Sequence, residues 1–190
     1  MNINGTWHLL GVPSAFEIGL NHCRWIYKHG NHCLQVRNWT SKKSPRVNLD
    51  FRVIEGSRVS LLVTHHFDSL NGWNFAAGET AGVYIARPAQ ASMIAGKFPD
   101  ARFRIKVNSI DNDYRACGDE SLYEDSGNHG SGLFVLDVRN VSDFCMSFIG
   151  EVCSPANAGR IEDSDNQWNI DSRDASIVWQ DLSRNLSLKG

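Results

Sequence analysis

The sequence predicts an all-β, antiparallel fold on three observations. Apolar and polar residues alternate at every second position, turn-forming residues separate the alternating segments, and helical periodicity is scarce. In VNLDFRV, residues 47–53, Val47, Leu49, Phe51 and Val53 share one face while Asn48, Asp50 and Arg52 share the other. ARFRIKVN, residues 101–108, repeats the pattern, with Ala101, Phe103, Ile105 and Val107 against Arg102, Arg104, Lys106 and Asn108. Parallel strands covered on both faces would be apolar throughout, so these are half-buried antiparallel strands.

Further strands are expected at TWHLLGV (6–12), CLQVRNW (33–39), RVSLLVTHHF (58–67), GVYIAR (82–87) and GLFVLDVR (132–139), with Gly, Pro, Asn and Asp clusters between them as hairpin loops require. The best helical spacing lies in SDFCMSFIGEVC (142–153), where Phe144, Phe148 and Val152 recur every four residues behind Ser142 as N-cap. SIVWQDLSRNL (176–186) is a weaker helix, and the stretch between them, residues 154–174, reads as a long polar loop. Seven or more strands with few helices make a sandwich or a closed barrel, and alternation does not choose between the two. No internal repeat or composition shift divides the chain, so residues 1–190 are read as one domain.

Composition narrows the function classes. The net charge of -2 comes from interspersed acids and bases, and without a basic face no nucleic-acid partner is expected. No apolar run reaches bilayer length, so no membrane span is expected. MNINGTWHLLG lacks the basic and apolar regions of a signal peptide. The expectation is a mature secreted chain restarted with Met, on two grounds. Five cysteines without CxxC spacing, Cys23, Cys33, Cys117, Cys145 and Cys153, suit two disulfides and a leftover thiol. Four N-x-[ST] sequons, at Asn4, Asn38, Asn140 and Asn185, would make a glycoprotein.

The order of residues in NGTWHLLGVPSAFEIGLNHC (4–23) resembles the first signature of the lipocalin family, within the calycin superfamily: Gly5 and Trp7 as Gly-x-Trp, then Pro13, Phe16 and Cys23. NSIDNDYRAC (108–117) is similar to that family's Asp/Tyr signature, and FVLDVRN (134–140) to the one that delivers an Arg. The resemblance implies an up-and-down eight-stranded β-barrel with one or two short helices near the C-terminus. It also implies that Arg139 packs across the Trp7 indole at a barrel floor, with Gly5 crossing that floor closely. It further implies that Cys23 ties the barrel to a later segment through Cys117, Cys145 or Cys153.

Such a barrel holds one small ligand, so the resemblance implies binding and transport or sequestration of a small hydrophobic molecule, a pigment, lipid or signalling compound, with no cofactor. The aromatics expected near its mouth are Phe16, Trp25, Tyr27, Trp39, Tyr84, Phe103 and Phe134. An enzyme of isomerase or cyclase type in the same cavity is the alternative, with Asp111, Asp113 and His129 for acid–base chemistry. A third reading is an adhesive or inhibitory module that recognises protein or glycan through its loops. The odd thiol leaves a homo-oligomer open. His22, His29, His32, His65 and His66 match no ligand spacing and EDSDNQWNID (162–171) lacks the Gly and terminal Glu of a calcium loop, so no metal is expected. GNHGSG (127–132) reads as a flexible loop rather than a nucleophile turn.

Overall fold

The computed structural model describes residues 1–67, 72–109, 113–129, 133–152 and 164–187. The strands are β1 (Asn2–Ile3), β2 (Thr6–Trp7), β3 (Ala15–Ile18), β4 (His22–His29), β5 (His32–Thr40), β6 (Arg46–Glu55), β7 (Val59–His66), β8 (Trp73–Ala77), β9 (Val83–Pro88), β10 (Arg102–Ser109), β11 (Tyr114–Cys117), β12 (Leu133–Val141) and β13 (Asp143–Glu151). A short helix, α1 (Met93–Lys97), follows β9, and α2 (Ser164–Ser187) closes the described chain. The strands form two antiparallel sheets, of five (β11-β12-β7-β1-β2) and eight (β3-β4-β5-β6-β13-β10-β9-β8).

Both sheets end in open edges, so the expected barrel is corrected to a sandwich. The inner faces meet in one apolar core. Leu34, Phe51, Ile105, Val107, Phe144 and Met146 come from the larger sheet, and Leu61, Phe134, Leu136 and Val138 from the smaller. Among the described residues the two open sheets enclose no barrel cup for a hydrophobic cargo. The apolar recess beside the core, lined by Leu10, Val36, Leu49 and Phe144 among others, measures about 250 Å³, below the usual size of a small-molecule site.

Other expectations change with it. The helix expected over 142–153 is instead β13, a central strand paired with both β6 and β10. Phe144, Met146 and Phe148 face the core in strict alternation. A spacing of four satisfies a period of two as well as it satisfies a helix, which is why the two readings were confusable. Of the strand expected at 6–12, only Thr6–Trp7 forms. Residues 164–174, expected as loop, are the first half of the 24-residue α2; residues 154–163 lie outside the described residues. The helix expected over 176–186 is its second half. Cys23, Cys33, Cys117 and Cys145 are all free thiols, so the disulfides proposed among them are absent, and Cys153 lies outside the described residues.

The outer face of the larger sheet is ionic, and α2 is seated on it through that chemistry. Arg37 on β5 is buried against Asp50 across the β5–β6 ladder and reaches Asp165 of α2 at 2.7 Å. Arg52 holds the other oxygen of Asp165 at 2.8 Å and Asp143 at 2.6 Å. The Arg37 guanidinium lies 4.8 Å from the Trp168 ring centre. Trp168 meets Trp39 edge-on at 5.3 Å, and the Trp39 indole N–H donates to buried Asp171 at 3.1 Å. Burial alone would lower the pKa of Arg37, but its bonds to Asp50 and Asp165 outweigh that and hold it above its ordinary value. Beneath Trp39 and Trp168 lies Cys145, whose thiol burial pushes up to about 12.

The core holds a histidine. His65 on β7 lies between the sheets, with Nε2 3.3 Å from Met146 Sδ and its ring 4.5 Å from Phe148. Burial pulls its pKa from 6.5 to about 4. The native state therefore binds the His65 proton more weakly than the unfolded chain does. Stability from this residue is fully present above pH 6.5 and is lost as the pH falls towards 4, by about 3 kcal/mol. Denaturant titrations at pH 7 and pH 4 should show that loss, and a His65→Leu variant should lose correspondingly less. Equal acid sensitivity in the variant would contradict the assignment.

Candidate functional site

Beyond the part covered by α2, the outer face continues onto β10 and β9. On β10, Phe103, Ile105 and Val107 enter the core, which by alternation places Arg102, Arg104 and Lys106 on the outer side. The ladder sets Ile85 beside Arg104 and Val83 beside Lys106, and one step past the Ala86–Phe103 pair Arg87 comes alongside Arg102. Residues 78–82 fold over as a wall. Gly78 N–H donates to Val83 O at 2.8 Å, and Val107 N–H donates to Gly82 O at 2.7 Å, so the turn is fastened to both strands. Between wall and sheet is a trough of about 610 Å³, lined by the four cations, the aliphatic Val83 and Ile85, and residues 78–82, Glu79 among them. That volume falls in the range of small-ligand sites.

The electrostatics are one-sided. Buried Glu151 on β13 binds Arg102 at 2.5 Å and Arg104 at 2.8 Å, a single carboxylate shared by two guanidiniums. Partial burial, then the nearby Arg104 and Arg46, lower the Lys106 pKa against the opposing pull of Glu151. Four cations thus face Glu79 and Glu151 in a chain whose net charge is -2. In the row between trough and helix, Arg46 Nε and Asn48 Nδ2 are buried with no hydrogen-bond partner among the described residues. Like charges on adjacent strands repel, and Glu151 relieves this for Arg102 and Arg104.

The residues expected from sequence are dispersed. Tyr27, Tyr84, Phe103 and Phe134 belong to the core between the sheets. Phe16 stacks on Trp25 at 5.6 Å along the β3 edge, while Trp39 lies on the opposite face under α2. Trp7 and Arg139 border one depression on the smaller sheet together with Arg115 and Asp137, but Arg139 gives its guanidinium to Asp137 at 2.8 Å and Trp7 is half exposed. Gly5 sits at φ +86° in the β1–β2 turn, not across a floor. His129 bonds Asp125 at 3.1 Å, Asp113 is exposed and its backbone carbonyl accepts from the Arg139 backbone N–H, and Asp111 lies outside the described residues. Asn4 occupies an exposed left-handed turn and Asn140 an exposed left-handed position in the β12 bulge, Asn38 is half-buried on β5, and the side chain of Asn185 lies outside the description. Among the described residues no three His, Cys, Asp or Glu side chains gather as a metal site would require.

Sequence reasoning read Arg102, Arg104 and Lys106 only as the solvent side of a strand and passed over Arg87 and Glu151. The available signal was three cations at a period of two with no intervening acid.

These features define a class, an antiparallel β-sandwich whose larger sheet carries an ionic outer face and a cationic trough. The model of the glycoside phosphorylase supersandwich domain matches residues 1–150. The chain belongs to that family. The match spans every residue that lines the trough, stops one residue short of Glu151 and ends before α2. No curated protein matches the chain. The lipocalin resemblance is corrected by this match and by the open sheets, and the transport function it implied falls with it.

Gly82 tests the trough wall. It adopts φ +75°, and an added Cβ would lie 2.4 Å from Tyr114 Oη and 2.9 Å from Val107 O. Gly82→Ala should cost more than about 1 kcal/mol in chemical denaturation. Gly11→Ala, where a Cβ meets nothing within 4 Å, should be near neutral. Equal stability of the two variants would contradict the described turn.

Proposed function

We propose that this chain is a carbohydrate-associated β-sandwich module that supplies binding and positioning surface to a glycoside phosphorylase system. The observation that carries the reading is the match of residues 1–150 to a domain described by its place in glycoside phosphorylases. The trough supports it chemically. A sugar offers hydroxyls around its rim and C–H groups on its faces. The trough offers guanidinium and backbone groups around the aliphatic Val83 and Ile85. Side chains suited to orienting a glycan are present there, and the reading assigns this chain no reacting group.

The test is a panel of neutral and acidic oligosaccharides titrated into the intact chain, with backbone amide shifts followed by NMR. At least one class should bind, with a Kd of about 10 µM to 1 mM, and shifts should concentrate at residues 77–87 and 102–107. Binding by none of them, or shifts confined to the five-stranded sheet, would contradict the reading.

A further inference from the structure

We propose that the trough selects an anionic oligosaccharide, one bearing a carboxylate or sulfate group on successive sugars, through Arg87, Arg102, Arg104 and Lys106; this rests on the carbohydrate reading above. Arg102, Arg104 and Lys106 occupy alternate positions of one strand, so neighbouring cations stand about 7 Å apart. The result is a straight row of positive groups matched to an extended chain with a repeating negative one. A single small anion would use one or two of them and leave the row unexplained.

Glu151 and Glu79 offset only part of the row, two carboxylates against four cations. Glu151 is 3% exposed and lies at the β13 end, bonded to Arg102 and Arg104, while Arg87 and Lys106 lie away from it along β9 and β10. Nucleic acid is the weaker fit. Among the described residues no aromatic ring lines the trough to stack a base, and the cations form a short row rather than a broad basic surface.

Calorimetric titration of the intact chain with four probes tests this: trigalacturonate, sulfated maltotriose, neutral maltotriose and tripolyphosphate. At least one charged trisaccharide should bind at least about tenfold tighter than maltotriose and weaken as salt rises. Arg87→Gln and Lys106→Gln should each cost about fivefold in affinity. Lys106→Arg should retain binding, and Lys28→Gln, at an exposed lysine of β4, should leave it unchanged. Thermal melts show whether each variant is folded. Arg87 is exposed and the Lys106→Arg pair keeps the charge, so a fold defect in one variant leaves the others decisive.

Maltotriose binding as tightly as the charged trisaccharides overturns the anionic selectivity and leaves the carbohydrate reading intact. Tripolyphosphate binding as tightly as they do reduces the trough to a general anion site and overturns the glycan class. Charged trisaccharides that bind the Gln variants unchanged overturn the location. Failure of all four probes overturns this proposal, while the wider oligosaccharide panel still decides whether the chain binds carbohydrate at all.

Discussion

Arg37 is held between two carboxylates and an indole, and the architecture of the larger sheet turns on it. A guanidinium this buried is unfavourable unless its charge and its N–H groups are met. Asp50 meets them from the neighbouring strand, Asp165 from α2, and Trp168 covers the flat face. Removing Asp50 or Asp165 would leave the buried Arg37 guanidinium short of a partner, which is why buried pairs resist partial dismantling even where they add little net stability. The same side chain therefore aligns the β5–β6 ladder and fixes where the helix lies.

That constraint makes the two faces of the sheet different in kind. Inside, apolar side chains of the eight-stranded and five-stranded sheets interdigitate, and the driving force is removal of surface from water. Outside, charged rows run across β5, β6, β13 and β10, and the helix satisfies those it reaches. The rows continue beyond it. Arg46 stands at the boundary, with Asp171 of the helix at 3.7 Å on one side and an unpartnered Nε. Past this point the cations of β10 and β9 line an open trough instead of a helix seat. Trough and helix seat are thus two solutions to one problem, a sheet face too polar to form a second core.

Much of the sheet was legible in the sequence because alternation reports a half-buried strand directly, as in 47–53 and 101–108. Closure was not legible, since inward and outward positions alternate alike in a sandwich and a barrel. The Gly-x-Trp resemblance filled that gap with a barrel, yet here Gly5 serves a tight β1–β2 turn and Trp7 a surface position. The first half of α2 escaped notice for a related reason. Helix detection looks for an apolar stripe, and this one docks through Asp165, Trp168, Asp171 and Asp174 onto charges. The trough was hidden likewise, because lysines and arginines facing out of a strand look like solvation until their neighbours in space are known.

The central claim is that α2 lies sealed on the ionic face, and Cys145 reports on the seal. Its thiol is 8% exposed under Trp39 and Trp168. Treating the native chain with iodoacetamide and mapping each site by mass spectrometry should find Cys33 and Cys117 modified while Cys145 reacts at least about a hundredfold more slowly. Trp168→Ala should release Cys145 to the reagent. Alkylation of Cys145 in the intact chain as fast as Cys33 would mean that the helix does not cover the sheet as described.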